Sequence, residues 1–200
     1  MSVLFADMVD YTGTLERLGE ENTFPFVRMV YDRLAACVRE HDGSVHAFGG
    51  DSVMAVFGIS ETTEDAALKA CRAAIAIQSV FGLAGDEIES RFHERPHIRV
   101  GVSSGLAVVA SVDSESTALT TIGNTVNLAS RMQTLAPSGG CLVCDSTRRL
   151  IEWQVDLEFH SDTVIKGVAK PQRLWRLLNV HDNASRFDTS RGRGLSPLVG

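Results

Sequence analysis

Two β-type runs of the sequence are separated only by a pair of glycines. The first run covers residues 44–48, the pair is Gly49-Gly50, and the second run covers residues 51–58. So short a connection predicts a β-hairpin, because neighbouring antiparallel strands need only a tight turn between them. We therefore expect a sheet that is built, around this hairpin, from antiparallel strands.

Helical segments lie on both sides of the hairpin in the sequence. Apolar residues recur at near-helical spacing up to about residue 40, and an alanine-rich helical stretch follows over about 62–84. The remaining pattern predicts strands at 2–9, 98–112, 119–122, 141–144, 154–159 and 173–178, a helix at 123–135, and a polar loop at 85–97. Two helices crossing an antiparallel sheet in this order predict an α+β fold, a ferredoxin-like antiparallel sheet flanked by helices.

Length and composition agree with one ordinary domain. The chain has 200 residues, and we expect a domain over 1–180 and a linker over 181–200, where apolar residues are few. Acids outnumber bases by 25 to 19, giving a net charge of −6, which argues against a nucleic-acid partner. No apolar run reaches about 18 residues and the start lacks the features of a signal peptide, so we expect no membrane segment in this chain and a cytoplasmic location.

Two aspartates stand where strands of this sheet are expected to end. Asp7 follows the apolar run 3–6, and Asp51 comes directly after Gly49-Gly50. If the first strand pairs antiparallel beside the hairpin, the two carboxylates meet at one end of the sheet and form a site for a hard cation such as Mg²⁺. Backbone N–H groups after Asp7, at the next helix start, would then cradle a phosphate. A simpler interpretation also fits, in which Asp51 is a turn residue and Asp7 is a helix cap.

A second set of polar side chains lies on and after the helix predicted at 123–135. Asn127 and Arg131 are four residues apart and share one helix face, where an amide and a guanidinium can grip a phosphate from two sides. Lys166, beside Gly167, is a third candidate cation. A solvated helix face and an ordinary surface lysine would give the same pattern, so spacing alone leaves both interpretations open.

Four segments of the chain resemble motifs of the class III nucleotidyl cyclases, the adenylyl and guanylyl cyclase catalytic domains. Residues 3–12 (VLFADMVDYT) resemble the first metal motif of that family, and residues 50–58 (GDSVMAVFG) resemble its second. Residues 120–131 (TTIGNTVNLASR) resemble its transition-state motif, and Lys166-Gly167 resembles its late triphosphate-binding Lys-Gly. The four segments occur in the family's order, and their combination favours the chemical interpretation of each.

The resemblance implies a reaction at a nucleoside triphosphate with two metal ions in each site. Asp7 and Asp51, together with the backbone carbonyl of Met8, would hold the ions as Mg²⁺ or Mn²⁺. The substrate would be ATP, with GTP as the alternative, and the products would be 3′,5′-cyclic AMP and pyrophosphate.

The resemblance also implies roles for the other candidate residues. Asn127 would orient the ribose, Arg131 would stabilise charge in the transition state, and Lys166 would hold the terminal phosphates. In this family the metal-binding acids come from one subunit and these three residue types from the other, so a symmetric homodimer with two sites is implied. The residues expected to contact substrate through the segment after Asp7 are Val9, Asp10, Tyr11 and Thr12.

The positions that read the base depart from the family pattern. A lysine typically stands four residues before the second metal aspartate, and that position is Ala47 here. Thr120 occupies the second base-reading position. His46 is next to Ala47 but faces the other way on an ideal strand. Because an alanine side chain cannot hydrogen-bond a base, we expect weak base selectivity or low activity.

Other functions stay open at this point. The missing lysine also fits a weak or inactive nucleotide-binding or dimerisation module of a signalling protein, and weak selectivity leaves a guanylyl cyclase possible. Gly49-Gly50-Asp51 is similar to the hairpin of diguanylate cyclases, although Ser52-Val53 stands where that family has Glu-Phe. Residues 191–200 resemble a linker to an ATPase-type module, so we expect a regulatory or ATPase-type domain beyond the C-terminus.

Overall fold

The computed structural model describes residues 1–49, 52–59, 65–83, 85–111, 119–166, 168 and 170–181, so most of the predicted linker lies outside the described residues. The helices are α1 (Tyr11–Glu40), α2 (Ala66–Leu83), α3 (Gly85–Phe92), α4 (Asn124–Leu135) and α5 (Asp145–Ile151). The strands are β1 (Ser2–Met8), β2 (Ser44–Gly49), β3 (Ser52–Phe57), β4 (Ile98–Ser104), β5 (Val108–Ser111), β6 (Leu119–Ile122), β7 (Cys141–Cys144), β8 (Val155–Thr163) and β9 (Gln172–Val180).

Seven strands form one sheet in the order β2-β3-β1-β4-β7-β9-β8, and β5 pairs with β6 in a separate hairpin. β1 lies antiparallel between β3 and β4, so the condition for bringing Asp7 beside the hairpin is met. The pair β4 and β7 is parallel, because the chain between them crosses over through β5, β6 and α4. The predicted α+β fold is thus confirmed, with one parallel pair inside an otherwise antiparallel sheet.

The two faces of the sheet are covered by different helices. Successive side chains of a strand point to opposite faces, so β1 contributes to both sides. Leu4 and Ala6 join the main core with residues of α1 and α2. Val3 packs on the other side, in a cluster with Ala129 of α4. Asp7 has the same parity as Val3 and therefore faces α4.

The predicted loop over 85–97 is wrong in its first half, where the structure has α3. Ile88 and Phe92 are four residues apart and buried, and the ring of Phe92 meets Phe26 of α1 edge to face at 5.5 Å between centroids. The rest of the segment is polar, and two apolar residues give too weak a periodic pattern to indicate a helix. The short helix α5 was also not predicted. Within the described residues, no helix is long and apolar enough to cross a membrane.

Candidate active site

Asp7 lies buried at the end of β1, with 7% of its surface exposed. Two donors converge on its Oδ2 atom: Arg99 Nη2 at 3.0 Å and Gln133 Nε2 at 2.6 Å. Arg99 is the register partner of Asp7 on β4, and Gln133 reaches it from α4. A buried carboxylate requires such compensation, because losing its hydration is costly unless charge and hydrogen bonds replace it.

The residue that follows the second predicted metal ligand lies opposite Asp7 in the sheet. Ser52, the first residue of β3, pairs with Asp7 across the β1–β3 ladder. Asp51 immediately precedes Ser52 in the sequence and lies outside the described residues, so the position of its carboxylate stays a prediction. Met8, whose carbonyl is the third predicted ligand, is the last residue of β1.

The donor set fits a hard divalent cation. Carboxylate and carbonyl oxygens are the ligands that Mg²⁺ and Mn²⁺ prefer, and Asp7 presents such oxygens at a strand end. No group of three or more His, Cys, Asp or Glu side chains suited to a metal occurs in the described ranges, to which Asp51 does not belong. A metal site made by Asp7 and Asp51, with further ligands from substrate or water, stays a prediction of the resemblance.

The segment predicted to cradle phosphate forms the turn into α1. Tyr11 and Thr12 are the first residues of the helix, and Thr12 is exposed while Tyr11 is half-buried. The backbone N–H of Val9 donates to the carbonyl of His97 at 2.8 Å, so this amide already has a structural partner. The N–H groups that remain as candidates are those of the helix start itself.

Asp10 covers that helix start. Its backbone is left-handed (φ 54°), and a Cβ added at Gly13 would lie 2.5 Å from its Oδ1 atom. Arg17 Nη1 contacts the same carboxylate at 3.1 Å, and Arg17 Nε donates to Glu94 Oε1 at 2.6 Å. The hydrogen bond from Arg17 holds the pKa of Glu94 below its ordinary value. A phosphate would reach the start of α1 only after the Asp10 side chain moves aside.

Asn127 and Arg131 lie on the exposed side of α4, as their spacing predicts. The helix begins after Gly123, whose φ of 151° and close approach to the Leu106 carbonyl (3.2 Å from an added Cβ) favour glycine. Thr125 Oγ1 donates to the same carbonyl at 2.7 Å, which fixes the first turn of α4 against the chain before β5.

Lys166 is exposed in the turn between β8 and β9. Its neighbour Ile165 is buried in a cluster that includes Leu128 and Met132 of α4. The loop that carries Lys166 is therefore packed against the helix that carries Asn127 and Arg131. Gly167, the other residue of the predicted Lys-Gly motif, lies outside the described residues.

The base-reading region differs from an ideal strand. Val45 and Ala47 pair with successive residues of β3, so His46 is an extra residue in a β-bulge. The ideal strand assumed for the prediction that His46 faces away from Ala47 is therefore absent at this position, and that prediction stays untested. His46 Nδ1 lies 3.1 Å from Thr121 Oγ1 on β6, which ties β2 to the β5–β6 hairpin. The side chains of Ala47 and Thr120 lie outside the described residues.

Arg99 and Gln133 are the site residues that the sequence analysis missed. Arg99 had a signal, since it is a charged residue inside the apolar strand run 98–102. Gln133 had none, because its partner Asp7 is 126 residues away in the chain.

Solved structures of class III cyclases share this fold. The adenylyl cyclase CyaB from P. aeruginosa superimposes with a TM-score of 0.85 at 22% identity, covering 92% of this chain and 96% of that one. The guanylyl cyclase Cya2 also gives 0.85 at 22% identity, covering 90% and 92%. The sheet and its flanking helices thus have the architecture of the class III nucleotidyl cyclases.

Sequence comparison identifies the family. The family model described as the adenylate and guanylate cyclase catalytic domain matches residues 1–179. The chain is 30% identical to the adenylate cyclase of Anabaena cylindrica over 156 residues, covering 74% of this chain and 30% of that protein. It is 29% identical to Adenylate cyclase 1 of Rhizobium meliloti (strain 1021) over 147 residues, covering 73% and 22%. The chain therefore belongs to the adenylate and guanylate cyclase catalytic domain family and is a nucleotide cyclase catalytic domain. It spans less than a third of the length of these two relatives.

Proposed function

We propose that this domain converts ATP to 3′,5′-cyclic AMP and pyrophosphate in sites shared by two copies of the chain. The supporting observation is the placement of side chains around α4. Gln133 on the inner side of this helix reaches Asp7, whereas Asn127 and Arg131 are exposed on its outer side. Within one chain, Asn127 and Arg131 therefore lie on the side of α4 opposite to the one that contacts Asp7. This arrangement is the one required if a second copy completes the site.

An exposed apolar patch next to α4 supports association with a second copy. Leu106, Val108 and Ile122 are 95%, 66% and 64% exposed. The patch adjoins the first turn of α4, because Thr125 is hydrogen-bonded to the Leu106 carbonyl. Clustered apolar side chains in water mark interaction surfaces, and a partner seated here would lie beside the outward side of α4.

The proposed reaction is an attack of the ribose 3′-oxygen on the α-phosphorus. The new P–O3′ bond forms as the bond from the α-phosphorus to the oxygen that bridges it to the β-phosphorus breaks, pyrophosphate leaves, and the 3′-hydroxyl proton passes to solvent. Asp7 and Asp51 would hold two divalent ions, Mg²⁺ or Mn²⁺, which supply neutralising charge and acidify the 3′-hydroxyl.

The chain's own cations would act on the phosphates. Arg131 would donate to the α-phosphoryl oxygens, where charge grows in the transition state, and Lys166 would neutralise the departing pyrophosphate. Asn127 would hold the ribose so that its 3′-oxygen faces the α-phosphorus. A substrate that is already oriented loses less entropy on forming the transition state, which lowers the activation free energy. All three side chains are exposed, as residues that complete a partner's site are expected to be in one chain.

We expect weak discrimination between ATP and GTP. Ala47 offers a base no side-chain hydrogen bond, and Thr120 can donate or accept, so it pairs with either base. A site that makes no specific hydrogen bonds to the base distinguishes adenine from guanine poorly. A preference for ATP over GTP above about a hundredfold would therefore contradict this expectation. The matched variant Ala47→Lys, which restores the family residue, should change the ATP-to-GTP ratio.

A product assay tests the proposal. ATP and GTP are supplied with Mg²⁺ or Mn²⁺ over a range of protein concentrations, and Asp7→Asn serves as the inactive control. We expect 3′,5′-cyclic nucleotide, with activity per chain rising with protein concentration as the copies associate. Nucleotide binding without any cyclic product under all four conditions would leave the chain as a binding or dimerisation module, and product from GTP alone would make it a guanylyl cyclase.

A further inference from the structure

Gln133 is a buried polar residue to which the family resemblance assigns no role. It is 5% exposed, and its Nε2 atom donates to Asp7 Oδ2 at 2.6 Å. Thr134 Oγ1 lies 3.4 Å from Gln133 Oε1, which is consistent with the amide oxygen facing Thr134 and the amide nitrogen facing Asp7. The side-chain amide is therefore oriented with its donor end toward the carboxylate.

The backbone of Gln133 is held close to the sheet. A Cβ added at Gly101 of β4 would lie 2.4 Å from the backbone carbonyl oxygen of Ala129 and 2.4 Å from the backbone nitrogen of Gln133. Glycine at this position thus lets α4 lie directly on β4, one strand away from Asp7 on β1. A donor on a helix so closely packed has little freedom to move with its acceptor.

Arg99 also bonds Oδ2 of Asp7, but it is a less constrained donor. Its side chain is 26% exposed and is long and flexible, whereas Gln133 is shorter and enclosed. Arginine supplies charge to the carboxylate, and glutamine supplies a donor in a nearly fixed place. Of these two donors to Oδ2, the one on α4 is therefore the more rigidly placed.

We propose that Gln133 is a positioning residue that holds the Asp7 carboxylate in the orientation needed to bind a divalent cation. The inference rests on the proposed function, because it requires Asp7 to be a metal ligand. Hydrogen bonds that orient a ligating carboxylate typically contribute about 10–100-fold to metal affinity, so replacing the amide should weaken the metal rather than only the fold.

Gln78 provides a matched control. It is a half-buried glutamine on α2 at the same end of β4, and its Nε2 atom donates to the carbonyls of Ile98 and Gly140 at 3.1 and 3.2 Å. Methionine has nearly the length of glutamine but no amide. Gln133→Met and Gln78→Met therefore each remove hydrogen bonds of an enclosed or half-buried glutamine and are both expected to lower stability, yet only the first removes a donor to Asp7.

The test measures Mn²⁺ affinity by electron paramagnetic resonance, in which bound ions lose the signal of the free ion. Mn²⁺ alone is titrated into the wild-type chain, both methionine variants, Gln133→Asn and Asp7→Asn, with unfolding by denaturant followed in parallel. We expect about a tenfold weaker affinity in Gln133→Met and also in Gln133→Asn, whose amide is too short to reach. Gln78→Met should bind as the wild type does, and Asp7→Asn should lose the binding.

Two results would overturn the inference in distinguishable ways. If both Gln133 variants are folded and bind Mn²⁺ as tightly as the wild type while Asp7→Asn does not bind, Gln133 has only a structural role. If Asp7→Asn itself binds Mn²⁺ normally, Asp7 is not a metal ligand, and the metal part of the proposed function fails together with the inference.

Discussion

Gly101→Ala is the substitution whose effect can be worked out most directly from the structure. The added methyl would lie 2.4 Å from two backbone atoms of α4, where ordinary contact begins at 3.4 Å, so strand and helix must separate by about 1 Å. Neither obstacle is a side-chain end that could rotate away. Overpacking of this kind costs about 1–3 kcal/mol, which for a chain of this size lowers Tm by about 2–12 °C.

The same displacement should affect catalysis, because α4 carries Asn127 and Arg131 on its outer side and Gln133 on its inner side. A 1 Å misplacement of catalytic groups costs on the order of a hundredfold in rate, so kcat/KM for cyclic-nucleotide formation should fall by about that factor. Activity and thermal unfolding are measured on the same preparation.

Gly82→Ala is the control for this experiment. An added Cβ at Gly82 in α2 meets nothing within 4 Å, and alanine in a helix is favoured over glycine by about 0.5–1 kcal/mol. Its Tm should be unchanged or slightly raised, with normal activity. If Gly101→Ala matches this control in both Tm and kcat/KM, the close packing of α4 on β4 does not have the importance assigned to it.

Three further predictions concern other parts of the fold. Glu94→Gln should lower the free energy of unfolding at neutral pH, and the difference from wild type should vanish in acid. A carboxyl whose pKa is lowered in the folded state stabilises the fold at pH values above its ordinary pKa of about 4.3, and that contribution is lost as the pH falls through the lowered pKa. A difference that persists at low pH would show that the bond to Arg17 is not the cause. A double-mutant cycle of His46→Ala and Thr121→Val should give a coupling of about 0.5–1.5 kcal/mol in denaturant unfolding, and additive effects would refute their hydrogen bond. Leu106→Asp should leave the Tm of the single chain unchanged, because the side chain is exposed, but weaken association in sedimentation; an unaltered dimer would place the interface elsewhere.

The sequence carried enough information to predict the central part of the sheet. The apolar run before Asp7 predicts β1, and the Gly-Gly junction before Asp51 predicts the β2–β3 hairpin, because both are local signals. The antiparallel pairing of β1 with β3 is not local; it enters the sequence analysis as a condition, which the structure meets. The spacing of Asn127 and Arg131 likewise predicted a shared helix face, since that depends only on helical geometry.

What the sequence did not predict depends on contacts between distant segments. The bulge at His46 changes which residues face each side of β2, and no residue type at that position signals it. The bond between Gln133 and Asp7 requires knowing which face of the sheet α4 covers and how closely it approaches. Helical periodicity indicates that α4 has a buried side, but not what that side contacts.

Mixing two variants of the chain tests the shared site most directly. Asp7→Asn removes a candidate metal ligand and Arg131→Ala removes the candidate transition-state cation, and each variant alone should be inactive. Random association of equal amounts makes half of the dimers mixed, and each mixed dimer has one intact site, so we predict about a quarter of the wild-type activity. If the wild type forms cyclic nucleotide and the mixture stays as inactive as its components, the two halves of the site do not come from different copies.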